Sequence, residues 1–226
     1  MNRPRLALLN CADDPEPPRR NFRRELSADL VEFTVAGGEF PDDPDVDGVV
    51  VTGSPASVYW DEPWIGKTAL WVREAIEDGL PTLGVCFGHQ LVAMALGGEV
   101  VDMGEYELGY RQIHHDGDPL FDGIDDPFLA FETHSDIVAE LPPGATSIAE
   151  NDYGVQAFRT ERAAGVQFHP EYDRATAERV TKRKELPQER IESILKDITD
   201  ATVARAAPAA LVFENFIEEF VGSDTA

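Results

Sequence analysis

The chain is poor in cysteine: Cys11 and Cys86 are the only two in 226 residues. Two thiols so far apart supply neither a disulfide framework nor the paired spacing of a metal site. No His-x-x-x-His pair or calcium-loop pattern makes up the deficit, so no metal and no cofactor is expected. Lysine is also scarce, limited to Lys67, Lys182, Lys184 and Lys196, and basic residues total 19 against 43 acidic ones. No basic stripe exists to follow a phosphate backbone, which argues against nucleic acid as a partner. No run of 18 apolar residues occurs, so no membrane span is expected. The apolar stretch at residues 6–9 soon gives way to Asp13-Asp14-Pro15 and is too short for a signal peptide. These absences together lead us to expect a cytoplasmic, reduced protein, the setting that a free thiol requires.

What is present is acid and apolar residues. The formal net charge is −24, and 42% of the residues are hydrophobic. Acidic excess with so few lysines resembles proteins of salt-loving organisms, in which dense ions screen the repulsion. The length suits one domain spanning residues 1–226, with a helical extension over 173–226.

Periodicity predicts strands at 5–10, 31–35, 48–52 and 81–85. Helices are predicted at 22–31, where Phe22, Leu26 and Leu30 share a face, and at 64–78 and 90–96. The middle third reads as short strands at 99–101, 110–114, 128–132, 147–150, 155–159 and 164–168. Helices then follow at 174–184, 187–198 and 208–221. Alternation of this kind predicts an α/β fold with a mostly parallel central sheet flanked by helices, a small antiparallel sheet and a helical C-terminal extension.

The segment Leu83-Gly84-Val85-Cys86-Phe87-Gly88-His89-Gln90 sets a cysteine between two glycines, after an apolar strand and before a helix. That is the layout of a nucleophile elbow, in which a sharp turn lifts the side chain into a cleft at the positive end of the helix. A second segment, Gly165-Val166-Gln167-Phe168-His169-Pro170-Glu171, adds a base and a carboxylate to orient it. Cys86, His169 and Glu171 are therefore the candidate triad. The N–H of Phe87 and the amides of Gly53 and Ser54, in the loop Gly53-Ser54-Pro55, are the candidate oxyanion donors. Elsewhere, Cys11 reads as packing or a loop residue, and His89 as structural. His114 and His115 read as part of an acidic loop. His134, in Thr133-His134-Ser135-Asp136, belongs to a polar cluster of the kind that meets a ligand.

At the elbow and at Gln167-Phe168-His169-Pro170-Glu171 the chain resembles the class I, triad-type glutamine amidotransferases, from the first strand to about Tyr172. Its loop at 52–59 and its C-terminal continuation look like stand-alone forms related to the amidotransferase domain of GMP synthase. The resemblance implies that Cys86 attacks the glutamine side-chain amide and that His169 activates the thiol and protonates ammonia, with Glu171 orienting His169. It also implies that Gln90 and the Ser135 region contact L-glutamine, and that a synthase subunit accepts the ammonia. Two alternatives stand beside it. One is a γ-glutamyl hydrolase or peptidase with the same triad and a wider pocket around residues 54–60. The other is an interaction module in which the triad is idle.

Overall fold

The computed structural model describes residues 3–42 and 45–222. Strand β1 (Arg5–Asn10) is followed by helix α1 (Glu16–Glu25), then β2 (Asp29–Thr34) and β3 (Gly48–Val51). Helix α2 (Pro63–Glu77), strand β4 (Thr82–Val85) and helix α3 (Phe87–Ala95) come next. The central hairpins are β5 (Glu99–His115), β6 (Phe128–Glu140), β7 (Thr146–Asn151) and β8 (Gly154–Arg159), leading into β9 (Ala163–Val166). Helices α4 (Arg174–Lys182), α5 (Gln188–Asp197), α6 (Asp200–Ala206) and α7 (Leu211–Phe216) complete the order.

All nine strands join one sheet in the order β2-β1-β3-β4-β9-β8-β7-β5-β6. The half from β2 to β9 is parallel, and the half from β9 to β6 is antiparallel. The fold is α/β with a mixed sheet, and its antiparallel part is continuous with the parallel part through β8 and β9. Alternation along β1 sends Leu6 and Leu8 to a core with Phe22, Phe213 and Phe216, while Ala7 and Leu9 face Ile65, Val72 and Leu91. A third cluster of Leu108, Phe131, Ile191, Ile194 and Ile198 seats α5 on β5 and β6. Among the described residues no helix is long and apolar enough to cross a membrane.

Several boundaries differ from the sequence expectation. The helix expected at 22–31 ends at Glu25, and Asp29 to Thr34 instead pair in register with Arg5 to Asn10. Six parallel ladder positions outweigh the four-residue spacing of Phe22, Leu26 and Leu30. Pro17 and Pro18 fall within the first turn of α1, where an intrahelical N–H is not needed. The strands expected at 99–101 and 110–114 are one long strand, β5, with a pairing irregularity between Asp102 and Glu107. His114 and His115 accordingly end this strand and pair with Glu150 and Ala149, rather than lying in a loop. Helix α6 was not anticipated; the Thr199 side chain caps it by accepting from the Thr202 amide. The helix expected at 208–221 is a 3-10 turn, then α7, then a π-helical turn.

The register decides where chemistry can occur. Val51 pairs with Gly84, and Val85 pairs with Val166. Gly53, Cys86 and His169 therefore leave the sheet at the carboxyl ends of three adjacent parallel strands, where open α/β sheets form their ligand crevice.

Candidate active site

Cys86 has φ 54° and ψ −106°, and it is the one non-glycine residue of positive φ among the described residues. Such backbone costs about 1–3 kcal/mol and persists only when its surroundings hold it. Its amide donates to the Val166 carbonyl at 2.8 Å, and its carbonyl accepts from the Gln90 amide at 3.1 Å. The two glycines explain how strand and helix can meet so closely. A Cβ on Gly84 would stand 2.2 Å from the Gly88 carbonyl oxygen, and one on Gly88 would stand 2.2 Å from the Val51 carbonyl oxygen. The sulfur thus sits at the N-terminus of α3, where the helix field favours negative charge.

His169 is brought to the same place from β9. Its amide donates to the Phe131 carbonyl at 2.9 Å, and its ring stacks on Tyr172 with centroids 4.0 Å apart. Nδ1 lies 2.9 Å from Glu171 Oε1. Nε2 bonds to no other group and is the nitrogen left for the Cys86 sulfur. Burial pushes the imidazole pKa down, but the neighbouring Cys86 sulfur and the Glu171 carboxylate outweigh it and raise the value to about 10. The ring therefore holds a proton that it can deliver. The loop beneath is fixed by Arg24, which donates to the Glu171 carbonyl at 2.6 Å and pairs with Asp173 at 3.1 Å.

A cavity of about 330 Å³ opens over Cys86 and His169, and Gly53 and Ser54 line it. The Ser54 hydroxyl accepts from the Ala56 amide at 3.2 Å, so this side chain shapes the loop. Phe87 is the first residue of α3, and its N–H has no intrahelical acceptor. Gln90 is buried and donates to the Asp136 carbonyl and to Gln167 Oε1, each at 3.0 Å, which commits its NH2 group to the framework. Ser135 is half-buried on β6 and is not part of the cavity wall, whereas Thr133, two residues earlier, is. The room beyond Cys86 runs from Ser54 and Pro55 between α1 and α4; residues 56–60 do not line it, and Tyr59 there is tied to Asp136 at 2.9 Å.

Sequence reasoning overlooked Tyr172 and the cavity-facing bases Arg179, Arg183 and Lys184, and of the polar cluster at 133–136 it is Thr133 that lines the cavity. The i, i+4 spacing of the two arginines on a predicted helix was the available signal.

The remaining candidates are placed away from the thiol or put to other use. Cys11 is buried against the Leu9 carbonyl, and burial pushes its thiol pKa up. His89 is fully buried and packs on Phe158 with centroids 5.0 Å apart; burial lowers its pKa to about 3, so it is neutral. His134 lies within β6, with Nε2 2.9 Å from Glu107 and 3.3 Å from Glu132. Burial opposes its charge, but the hydrogen bond it donates to Glu107 and the adjacent Glu132 carboxylate prevail and raise its pKa well above the ordinary value. Glu132 is pushed up to about 7, chiefly by burial. The donor atoms of Glu107, Glu132 and His134 all lie within 4.8 Å of one another, so these three are the residues that could surround a cation. A proton on His134 already supplies the positive charge that the carboxylates need. Nδ1 of His134 meets the Asp136 carbonyl at 2.9 Å, the same oxygen that Gln90 binds, so the cluster braces the strand behind the thiol.

Comparison with known proteins agrees with this architecture. The family model for class-I glutamine amidotransferases matches residues 20–186. The GMP synthase [glutamine-hydrolyzing] of Clostridium novyi is 38% identical over 129 residues, covering 55% of this chain and 24% of its own. The chain thus spans about a quarter of the length of the GMP synthases it matches. Gamma-glutamyl peptidase 5 of Arabidopsis thaliana is 30% identical over 205 residues, covering 84% of this chain and 80% of its own. Among solved structures, a glutamine amidotransferase from Thermotoga maritima superposes with a TM-score of 0.79 at 22% identity, over 96% of this chain and 100% of its own. On the family match and on the length shared with the peptidase, the chain belongs to the class-I glutamine amidotransferase family.

Proposed function

We propose that this protein hydrolyses the γ-amide of a glutamyl substrate through a thioester on Cys86. The sulfur adds to the γ-carbonyl carbon, and the oxyanion that forms is met by the Phe87 N–H and the amides of Gly53 and Ser54. The C–N bond breaks as His169 passes its proton to the departing amine. Water then adds to the thioester, His169 takes a proton from it, and glutamate leaves with the thiol restored. Glu171 keeps His169 oriented throughout. With glutamine as substrate the amine is ammonia, and a separate synthase subunit is its proposed recipient, in keeping with the GMP synthases that this chain matches in part.

The observation that supports this most directly is the hydrogen bond from His169 Nδ1 to Glu171 at 2.9 Å, which leaves Nε2 to serve a thiol set on a strained turn. A γ-glutamyl peptide is the second reading. It is favoured by the length of cavity beyond the thiol and by the relationship to a gamma-glutamyl peptidase over most of both chains.

The test is to incubate the protein with glutamine and with γ-glutamyl peptides, quench with acid, and search by mass spectrometry for a glutamyl adduct on Cys86. We expect the adduct and glutamate release, and we expect Cys86→Ala to lose about 10⁴-fold or more in turnover while remaining folded. Undiminished turnover in that variant would falsify the role of the thiol.

A further inference from the structure

Helix α4 belongs to the segment that follows His169 and Glu171, and it forms one wall of the cavity above Cys86. Beside Thr176 and Val180 it presents Arg179, and Arg183 and Lys184 just past its last residue line the same space. This is unusual in a chain with 43 acidic and 19 basic residues. Elsewhere arginines are consumed locally, as Arg19 and Arg23 are by Glu32, and Arg174 by Glu178 and Asp200. Arg179 and Arg183, by contrast, make no ion pair among the described residues, and Arg179 Nε is buried without a hydrogen-bond partner. Lys184 is held by the Tyr106 hydroxyl and ring, with its ammonium 4.6 Å from the ring centroid. The buried, unpartnered Nε of Arg179 is costly to keep idle, whereas Arg183 is exposed at the mouth of the cavity and free to meet a ligand.

Their position relative to His169 indicates which part of a substrate they meet. Tyr172 stacks on the His169 ring, and the charge of Arg179 acts on the Tyr172 hydroxyl. Arg179 therefore lines the cavity on the same side as Tyr172 and the ring of His169, the group that protonates the departing amine in the proposed chemistry. The acyl side is defined by Gly53, Ser54 and the N-terminus of α3. Asp13 and Asp14 also line the cavity and would offer carboxylates to a glutamyl ammonium group.

Building on the proposed thioester chemistry, we infer that Arg179 and Arg183, assisted by Lys184, form an anion subsite for the carboxylate of the residue that leaves. The preferred substrate class is then a γ-glutamyl amino acid or peptide with a free carboxylate, and the products are glutamate and that amino acid or peptide. Atoms balance as in simple hydrolysis: one water is added across the γ-amide C–N bond, and the amine leaves with the proton from His169. Arginine suits this task because its planar fork matches a carboxylate in two parallel hydrogen bonds.

The experiment compares γ-glutamylglycine with γ-glutamylglycinamide, which differ only in the leaving group's charge, at fixed ionic strength. We expect kcat/KM to favour the free carboxylate by about 10-fold. We expect that ratio to collapse toward unity in Arg179→Gln and Arg183→Gln, and to persist in Arg183→Lys, which keeps the charge. Equal rates for the two substrates in the unaltered protein overturn the subsite while leaving the thioester chemistry intact. A third comparison, glutamine against its α-carboxamide, also decides. If the arginine variants change only that ratio, the pair binds the donor end and the inference fails.

Loss of turnover with every γ-glutamyl compound, and no adduct on Cys86, counts instead against the chemistry. Calorimetric binding of the two dipeptides to Cys86→Ala tests the subsite independently of turnover. Tighter binding of the carboxylate form supports it, and equal binding overturns it.

Discussion

Gly53 is pressed against the ring of His169: a Cβ at this position would lie 3.0 Å from His169 Cε1 and 3.7 Å from the Cβ of Cys86. The glycine loop therefore has a steric effect apart from the amides proposed as oxyanion donors. It sets how closely the imidazole can approach the thiol, and it does so by lacking a side chain. Gly53→Ala requires the ring or the loop to move by a few tenths of an ångström. We expect kcat/KM to fall by about 10- to 100-fold, since small misplacements at reacting groups are expensive. The melting temperature should stay near that of the parent. Paired kinetics and thermal melts check this, and a variant of full activity would show that the contact is slack.

The proton on His169 has a pH signature. With its pKa raised to about 10 by Cys86 and Glu171 against burial, the imidazolium survives through neutral pH and is lost as pH rises through that value. The pH profile of kcat/KM should hold on its alkaline side until near pH 10. Glu171→Gln removes a carboxylate that favours the charged ring. Its alkaline limb should move to lower pH, with kcat down by about 10²- to 10⁴-fold. An unshifted limb in the variant would separate Glu171 from the titration.

The elbow should be intolerant of any side chain at its two glycines. A Cβ on Gly84 or on Gly88 meets backbone oxygen at 2.2 Å, and backbone cannot step aside as a flexible side chain can. Gly84→Ala and Gly88→Ala should therefore yield little folded protein, by far-UV circular dichroism and size-exclusion chromatography. Cys86→Ala leaves both glycines in place and should fold. Recovery of folded, active Gly84→Ala would mean that the strand and helix can separate.

That contrast shows what was legible beforehand. The elbow could be read because its physics is local: two glycines and a thiol at fixed spacing describe one turn. The parallel strands were readable from β-branched runs such as Val49-Val50-Val51. The buried cluster was not readable. Glu107 and His134 meet as cross-strand partners, and no one-dimensional pattern announces that β5 and β6 pair in this register. The start of β2 was misread for a similar reason, because a neighbour distant in sequence decided between helix and strand. Arg179 and Arg183 stood at helical spacing in plain view, but only packing reveals that both line the cavity that holds Cys86.

Glu132 offers a test of that hidden cluster. Burial, partly offset by His134, raises its carboxyl pKa from 4.5 to about 7. The folded protein thus retains a proton that the unfolded chain releases near 4.5. The associated stability is fully present below about pH 4.5 and is lost as pH rises through 7. Glu132→Gln keeps the shape without the charge. The variant's melting temperature, relative to the parent, should climb between pH 5 and pH 8, at about 2–4 °C per kcal/mol in a chain of this size. A difference independent of pH would place the titration elsewhere.

The charge of the whole molecule leads to a prediction about solvent. With 43 acidic and 19 basic residues, close pairing cannot neutralise the excess, and the net charge of −24 must be screened by ions. The Debye length is about 10 Å at 0.1 M salt and about 3 Å at 1 M. At low salt each exposed carboxylate therefore repels many others across the surface, while at high salt it senses only its neighbours. Unfolding relieves that repulsion by spreading the charges apart, so dilution of salt favours the unfolded chain. We expect the melting temperature to drop by on the order of 10 °C from 2 M to 0.05 M potassium chloride, a shift of a few kcal/mol at this size. Sodium and potassium chloride should act alike if screening is the cause. A melting temperature that ignores salt would show that the carboxylates are too dispersed to destabilise the fold.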